Sequence, residues 1–224
     1  DKPEHIRSMP TPDERDIRMI NRRYRHRVRL MLGVDDMIGE LISTLHELGA
    51  LSDTYIIVSS DNGWMQGEHR LAKRKLAPYE ESSRLPLFVR GPGIAPGIST
   101  DEPVSMVDIF ATLSDLAGGT EQRDGRSLVP LFDGGETDWR DWLLLENLSG
   151  KHDVPNYFGV VGKTHKYIEY QTGETELYDL TADPRETSSI HESADPALLA
   201  QLSARVAAVR ACAGPTCRSA DTDP

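Results

Sequence analysis

The chain has 224 residues, a length typical of one large domain or of a domain joined to a smaller one. It carries 25 lysines and arginines against 36 aspartates and glutamates, a net charge of −11 that argues against a general nucleic-acid binder or a protein of anionic membrane surfaces. Hydrophobic residues make up 38% of the chain, enough for a core. No apolar run approaches the roughly 18 residues that a membrane-spanning helix requires.

A long helix with a polar start is the first predicted element, over residues 11–49. Apolar residues recur along it at spacings of three and four, which indicates an amphipathic helix; they are Val34, Ile38, Leu41, Leu45 and Leu48. Gly49 ends the pattern. A dense basic run comes before this stripe: Arg22, Arg23, Arg25, Arg27 and Arg29. A solvated helix face is the simpler interpretation of the run, and an anion-binding patch is the alternative.

A buried strand is predicted next, over residues 53–60, because four β-favouring residues stand between turn formers. An unbroken run of this kind is typical of a strand covered on both faces, as in a parallel sheet. In such sheets ligands bind beyond the carboxyl ends of the strands, and Asp61 and Asn62 follow this strand directly. The pair therefore lies where chemistry is expected.

The α/β pattern continues with a charged loop, a short strand over 85–90 and a helix over 107–116. Beyond about residue 136 the pattern changes to four short strands separated by turns, followed by a helix over 196–210. These later elements predict an antiparallel sheet with a C-terminal helix.

The predicted fold class is therefore α/β, with two parts. Residues 1–136 would form the C-terminal part of a mostly parallel sheet flanked by helices, and residues 137–224 a small α+β subdomain with an antiparallel sheet. The two cysteines, Cys212 and Cys217, enclose a Gly-Pro pair that favours a turn. A disulfide between them would fit an exporting compartment, and two free thiols are the alternative.

Two groups of residues offer chemistry. Asp61 and Asn62 supply the oxygen ligands that Ca²⁺ and Mg²⁺ prefer, although an Asn-Gly dipeptide is also a common turn. Lys73 and Lys75 follow in the charged loop, where an ammonium beside a metal could bind an anionic ester group. Local ion pairs in a solvated loop are the simpler alternative, and His69 by itself is more typical of a structural role.

Taken together, three strings closely resemble the sulfatase family of the alkaline phosphatase superfamily. They are Ser60-Asp-Asn-Gly-Trp-Met-Gln-Gly-Glu-His-Arg-Leu71, Lys75-Leu-Ala-Pro-Tyr-Glu-Glu-Ser82 and Arg84-Leu-Pro-Leu-Phe-Val-Arg-Gly-Pro-Gly-Ile94. Shorter matches extend the resemblance over nearly the whole chain: Val34–Gly39, Val107–Ile109, Asp124–Leu128, Lys166–Tyr170, Glu176–Leu180 and Asp183-Pro184.

The resemblance implies a sulfuric ester hydrolase that uses Ca²⁺. In the family an Asp-Asn pair supplies the last two calcium-binding side chains, and it is matched here by Asp61 and Asn62. A lysine a few residues further on contacts the sulfate. Counting back from the Tyr-Glu pair selects Lys75, and Lys73 stays the alternative because the usual step from the histidine falls between the two. His69 matches a loop residue near the substrate pocket and is a candidate substrate-binding residue, not the leaving-group acid.

The family's nucleophile motif, Cys-x-Pro-Ser-Arg with Cys or Ser first, does not occur in this sequence. Its cysteine becomes formylglycine, so the nucleophile and two further Ca²⁺ ligands are expected outside the chain. We reject Asp35 and Asp36 as those ligands because they lie in the predicted helix. The sequence begins at Asp1 without a signal segment, so we expect a fragment of a secreted or periplasmic sulfatase, inactive alone and with an exposed sheet edge.

Two other readings stay open. One is a phosphatase or phosphonate hydrolase of the same superfamily, and the other is a sulfatase-like remnant without catalysis. The family handles aryl sulfates and sulfated sugars, and the overall pattern is nearest to the carbohydrate sulfatases that act on N-acetylglucosamine-6-sulfate. The expected partners are thus a sulfate-ester substrate and the N-terminal part of the same domain, with no nucleic acid and no membrane span.

Overall fold

The computed structural model describes residues 1–120, 123–134, 138–149 and 154–222. Its elements, in chain order, are α1 (Glu4–Arg7), α2 (Glu14–Glu47), β1 (Ile56–Ser59), β2 (Met65–Gln66), β3 (Ala72–Arg74), α3 (Glu80–Ser83), β4 (Leu87–Arg90), α4 (Met106–Leu116), β5 (Leu143–Asn147), β6 (Tyr157–Val161), β7 (His165–Tyr170), β8 (Thr175–Asp179), α5 (Pro196–Ala211) and α6 (Cys217–Ala220). The fold is therefore mixed α and β. No helix in these ranges is both long enough and apolar enough to span a membrane.

The long helix predicted over 11–49 is confirmed as α2. The Asp13 carboxylate caps it by accepting the Asp16 backbone N–H, while the Asp16 carboxylate accepts the Asp13 N–H. The helix ends just before Gly49, whose φ of 67° favours glycine. Most of the basic run is exposed, which fits the solvated-face interpretation, and Arg27 packs its guanidinium over the Trp64 ring at 3.9 Å.

The apolar stripe of α2 is only partly covered by the described residues: Ile38 and Leu45 are half-buried and the other three residues are exposed. The helix contains no buried residue, and Leu41 is 50% exposed. The same is true of the outward face of α4, where Phe110 is 56% exposed. Within the described ranges these two helices therefore present large apolar faces to solvent, which is uncommon for a folded domain.

The mostly parallel sheet predicted around residues 53–60 is not shown by the described residues, in which the one partner of this strand is antiparallel. Strand β1 pairs with β4 in antiparallel register, with Ile57 opposite Val89. It is half-buried along its length, and the sheet it forms within the described residues has two strands. A run of four apolar residues indicates that a strand is buried. It does not indicate whether the neighbouring strand is parallel or antiparallel.

The C-terminal half contains the antiparallel sheet and the final helix that the sequence predicted. Strands β5, β6, β7 and β8 form a four-stranded meander in that order. Helix α5 packs on it through Leu202 and Val206, which join Val160 and Leu177 in one core cluster. The predicted domain boundary between residues 136 and 137 falls outside the described residues. Cys212 and Cys217 are joined in a disulfide in the structure.

A second core cluster connects the two halves of the chain. It contains Met65 and Leu71 from the loop after β1, Tyr79 from just before α3, and Tyr178 from β8, all nearly inaccessible to solvent. The loop that carries the candidate site residues is therefore packed directly against the C-terminal sheet.

Candidate active site

The Asp61–Asn62 pair lies in the turn that follows β1. Asp61 is exposed and Asn62 is half-buried. The Asn62 amide Nδ2 donates to the Gly63 carbonyl at 2.9 Å, and the Ser60 hydroxyl donates to the Asn62 carbonyl at 2.9 Å. These two bonds stabilise the turn.

Of the two candidate lysines, Lys75 is the one that lies beside this pair. Its Nζ donates to the Asn62 Oδ1 at 3.3 Å. Lys73 is exposed on the β2–β3 hairpin, with a left-handed backbone (φ 65°), and makes no such contact within the described residues. Lys75 is thus the candidate lysine that the structure brings into contact with Asn62.

The Asp-Asn turn is clamped to the segment around α3 by its backbone. The Gly63 N–H donates to the Ser82 carbonyl at 2.9 Å, and the Trp64 N–H donates to the Glu81 carbonyl at 2.6 Å. A Cβ at Gly63 would lie 2.2 Å from the Glu81 oxygen, so this close approach requires glycine. The turn is therefore held closely against α3.

His69 is a buried, neutral ring next to the site. It stacks on Tyr79 with centroids 3.8 Å apart and 16° between the planes. Burial first, and then the positive charge of Lys2, lower its pKa to about 4. The imidazole is therefore uncharged near neutral pH.

One three-residue cluster in the described ranges has the spacing of metal ligands, and it is not the predicted one. His69, Glu81 and Glu186 offer ligand atoms within 4.8 Å of one another. However, the Lys166 ammonium already lies 2.7 Å from the Glu186 Oε1, and the other Glu186 oxygen accepts the Glu80 backbone N–H at 2.7 Å. Lys166 thus supplies the positive charge that this cluster needs.

Glu176 is the centre of a buried polar network that the sequence reading missed. It is fully buried, and its carboxylate accepts the hydroxyls of Tyr79 (2.9 Å), Tyr170 (2.6 Å) and Tyr178. The Lys2 ammonium lies 3.6 Å from the same carboxylate. Burial is the main cause of the raised pKa of the three tyrosines, and the charge of Glu176 adds to it.

The alternating pattern of the strands did not indicate that these charged residues are buried. Lys166 and Glu176 lie in segments that read as ordinary amphipathic strands, in which charged residues are expected to face solvent. The available signal was the presence of Tyr170 and Tyr178 in the same two strands, because buried tyrosine hydroxyls need polar partners.

The chemistry of the donor set fits half of a calcium site. Asp61 provides a carboxylate and Asn62 an amide oxygen, both hard ligands, in adjacent positions. Ca²⁺ takes about six to eight oxygen ligands, so two side chains cannot complete a site. Asp35 and Asp36 lie inside α2, as predicted, in regular helical backbone.

Comparison with known protein families finds two matches. The family model described as "Sulfatase" matches residues 2–119, and that described as "N-sulphoglucosamine sulphohydrolase, C-terminal" matches residues 67–211. Among curated proteins, N-acetylglucosamine-6-sulfatase of Homo sapiens is 31% identical over 251 aligned positions, covering 96% of this chain and 46% of that protein. Arylsulfatase of Chlamydomonas reinhardtii is 34% identical, covering 97% of this chain and 39% of that protein.

Two solved structures superpose on most of the chain. BT4656, in complex with its substrate D-glucosamine-2-N,6-O-disulfate, superposes with a TM-score of 0.68 at 30% identity, covering 79% of this chain and 38% of that one. Phosphonate monoester hydrolase of Agrobacterium radiobacter has the same TM-score and identity, covering 80% and 39%. The chain spans less than half the length of these relatives. The two family models together cover most of its residues, and the chain belongs to the sulfatase family.

Proposed function

We propose that this chain contributes the C-terminal part of the active site of a sulfatase that hydrolyses sulfate esters. Asp61 and Asn62 are the proposed calcium ligands, and Lys75 is the proposed sulfate-binding residue. The observation that carries the proposal is the 3.3 Å contact between the Lys75 ammonium and the Asn62 side-chain oxygen. It puts a compact positive charge beside a pair of hard oxygen donors, as an anionic ester substrate requires.

The chemistry follows from where negative charge develops. Calcium, when bound, withdraws charge from the sulfate oxygens. The Lys75 ammonium donates to a sulfate oxygen and stabilises the charge that builds there in the transition state. Because Lys75 is exposed and Asn62 is fixed by the clamped turn, the lysine can leave the Asn62 oxygen when a substrate and a metal arrive. His69 stays uncharged and shapes the loop beneath.

The nucleophile, proposed to be a formylglycine, and two further calcium ligands belong to a part of the sulfatase domain outside these residues. The exposed apolar faces of α2 and α4 support this proposal, since a further part of the same domain would cover Leu41 and Phe110. The chain by itself is accordingly proposed to be inactive. The disulfide supports a secreted or periplasmic location.

The proposed substrate is a sulfated sugar. Support comes from the relatives: one is named N-acetylglucosamine-6-sulfatase, and another structure holds D-glucosamine-2-N,6-O-disulfate. A second candidate function, phosphonate ester hydrolysis, is favoured by the likeness to phosphonate monoester hydrolase.

The test compares Lys75→Met with Lys73→Met in the protein that contains the complete sulfatase domain. Hydrolysis of an aryl sulfate, an aryl phosphate and an aryl phosphonate ester is measured with Ca²⁺ present. We expect the aryl sulfate to be preferred, Lys75→Met to lose most of that activity, and Lys73→Met to retain it. Loss in Lys73→Met alone would transfer the sulfate-binding role to Lys73. A preference for the phosphonate ester would establish the second function, and no hydrolysis of any ester would contradict both.

A further inference from the structure

Lys166 is a fully buried lysine whose ammonium donates two hydrogen bonds and forms an ion pair with a second carboxylate. Its Nζ lies 3.1 Å from the Pro78 carbonyl, 2.7 Å from the Glu80 Oε1 and 2.7 Å from the Glu186 Oε1. Lys166 itself has no solvent-accessible surface. Removing an ammonium from water costs free energy. A buried ammonium is therefore stable only where oxygen atoms surround it, as these three oxygens do.

Two of the three acceptors belong to the segment that carries the proposed sulfate-binding lysine. Pro78 and Glu80 stand three and five positions after Lys75. The same segment is held at two more points, because the Glu80 backbone N–H donates to Glu186 at 2.7 Å and the Tyr79 hydroxyl donates to Glu176 at 2.9 Å. Residues 78–80 are thus held by buried charged groups of the C-terminal sheet and of the segment that follows β8.

Further hydrogen bonds connect this segment to the proposed calcium ligand Asn62. Residues 81 and 82, which directly follow it, accept the backbone N–H groups of Gly63 and Trp64. Those two residues follow Asn62 in the chain, and Asn62 is the residue that Lys75 contacts. A single contiguous set of contacts therefore leads from Lys166 to both members of the Asn62–Lys75 pair.

We propose that Lys166 is a positioning residue of the active site, which sets the separation of Lys75 and Asn62 by anchoring residues 78–80 on the C-terminal sheet. This inference rests on the proposed function. Removing the ammonium leaves the Glu80 and Glu186 carboxylates close together without the positive charge between them, since Arg84, the other partner of Glu80, is exposed and lies at 3.7 Å; their repulsion then moves the segment. Some residues orient the side chains that bind a metal without touching the metal themselves. Replacing such a residue typically lowers metal affinity or activity by about 10–100-fold.

The experiment uses the complete sulfatase-domain protein with Lys166→Met, Lys166→Arg and, as a matched control, Lys163→Met. Lys163 lies between β6 and β7, is half-exposed and pairs with Glu102 away from this segment. The readouts are the inhibition constant of inorganic sulfate, the Ca²⁺ concentration for half-maximal activity, kcat and KM taken separately, and the melting temperature. We expect Lys166→Met to raise the first two by about tenfold or more, Lys166→Arg to restore most of the loss, and Lys163→Met to change neither.

A lower melting temperature with unchanged sulfate and Ca²⁺ constants in Lys166→Met would overturn the inference, because the residue would then be only structural. Should Lys166→Met fail to fold, Glu80→Gln weakens one of the three contacts at a partly exposed side chain. It must shift the same two constants in the same direction, and unchanged constants would overturn the inference. Lys75→Met separates the two claims: if it leaves sulfate inhibition unaltered, the proposed function itself has failed.

Discussion

Gly63 lies where the Asp-Asn turn touches α3, and Gly63→Ala tests whether that close approach matters. A Cβ at this position would lie 2.2 Å from the Glu81 carbonyl oxygen and 2.9 Å from that of Ser82, whereas ordinary contact begins at 3.4 Å. The Glu81 oxygen is backbone, so it cannot turn aside as a flexible side chain does. The turn and the α3 segment must separate by about 1 Å, which is the overpacking case.

The expected cost has two parts. Overpacking costs about 1–3 kcal/mol. The separation also weakens the Gly63–Ser82 and Trp64–Glu81 hydrogen bonds, each worth about 1 kcal/mol. We therefore expect Gly63→Ala to lower the free energy of unfolding by about 3 kcal/mol. A displacement of about 1 Å next to a reacting group costs about 100-fold in rate, so the loss of sulfatase activity should exceed what instability explains.

The assay is urea denaturation together with kcat/KM on an aryl sulfate, with Gly39→Ala as the matched control. Gly39 lies within α2, and a Cβ there meets nothing within 4 Å. The control should stabilise the helix by about 0.5–1 kcal/mol and leave kcat/KM unchanged. Wild-type stability and activity in Gly63→Ala would refute the claim that the turn is held closely against α3.

Three further outcomes follow from the buried groups and the disulfide. Because the pKa of His69 is lowered to about 4 in the folded state from 6.5, the unfolded chain binds the extra proton between these values. The free energy of unfolding should therefore fall as the pH drops from about 6.5 to about 4 in a urea series, and His69→Gln should reduce that slope. Arg140→Met leaves the fully buried Asp108 carboxylate without its ion-pair partner at 2.7 Å, and should lower the free energy of unfolding in urea by about 3–5 kcal/mol. Reduction of the Cys212–Cys217 disulfide, which closes a short loop, should cost about 2 kcal/mol in the same measurement.

Each of these outcomes has its own control. An unchanged acid slope in His69→Gln would show that other groups cause it. Arg84→Met removes an arginine that is 81% exposed and should change stability little, so an equal loss in both arginine variants would contradict the buried-pair explanation. The double variant Cys212→Ser/Cys217→Ser should be insensitive to reductant, and a reductant effect that persists in it would contradict the disulfide's contribution.

Local patterns in the sequence predicted the helices well. The period of α2 and its end at Gly49, the helix over 107–116 and α5 all follow from apolar spacing and end signals. The direction of strand pairing did not follow, because the four apolar residues of β1 suit a parallel or an antiparallel neighbour equally well.

The candidate site was predictable where it lies in one continuous string. The loop after β1 holds Asp61, Asn62 and Lys75 within fifteen positions, and the structure brings Asn62 and Lys75 into contact. Lys166 and Glu186 were missed because they approach that loop from 86 and 106 positions away from Glu80. Their burial depends on tertiary contacts that a strand pattern does not contain.

The most direct test of the proposed calcium site is the Ca²⁺ dependence of aryl sulfate hydrolysis by the complete sulfatase-domain protein, with Asp61→Ala and Asp35→Ala compared. Asp35 is an exposed carboxylate within α2 and serves as the matched control. If Asp61 and Asn62 hold calcium beside Lys75, Asp61→Ala abolishes the Ca²⁺-dependent activity and Asp35→Ala keeps it. Full Ca²⁺-dependent activity in Asp61→Ala, or its loss in Asp35→Ala, would contradict the site.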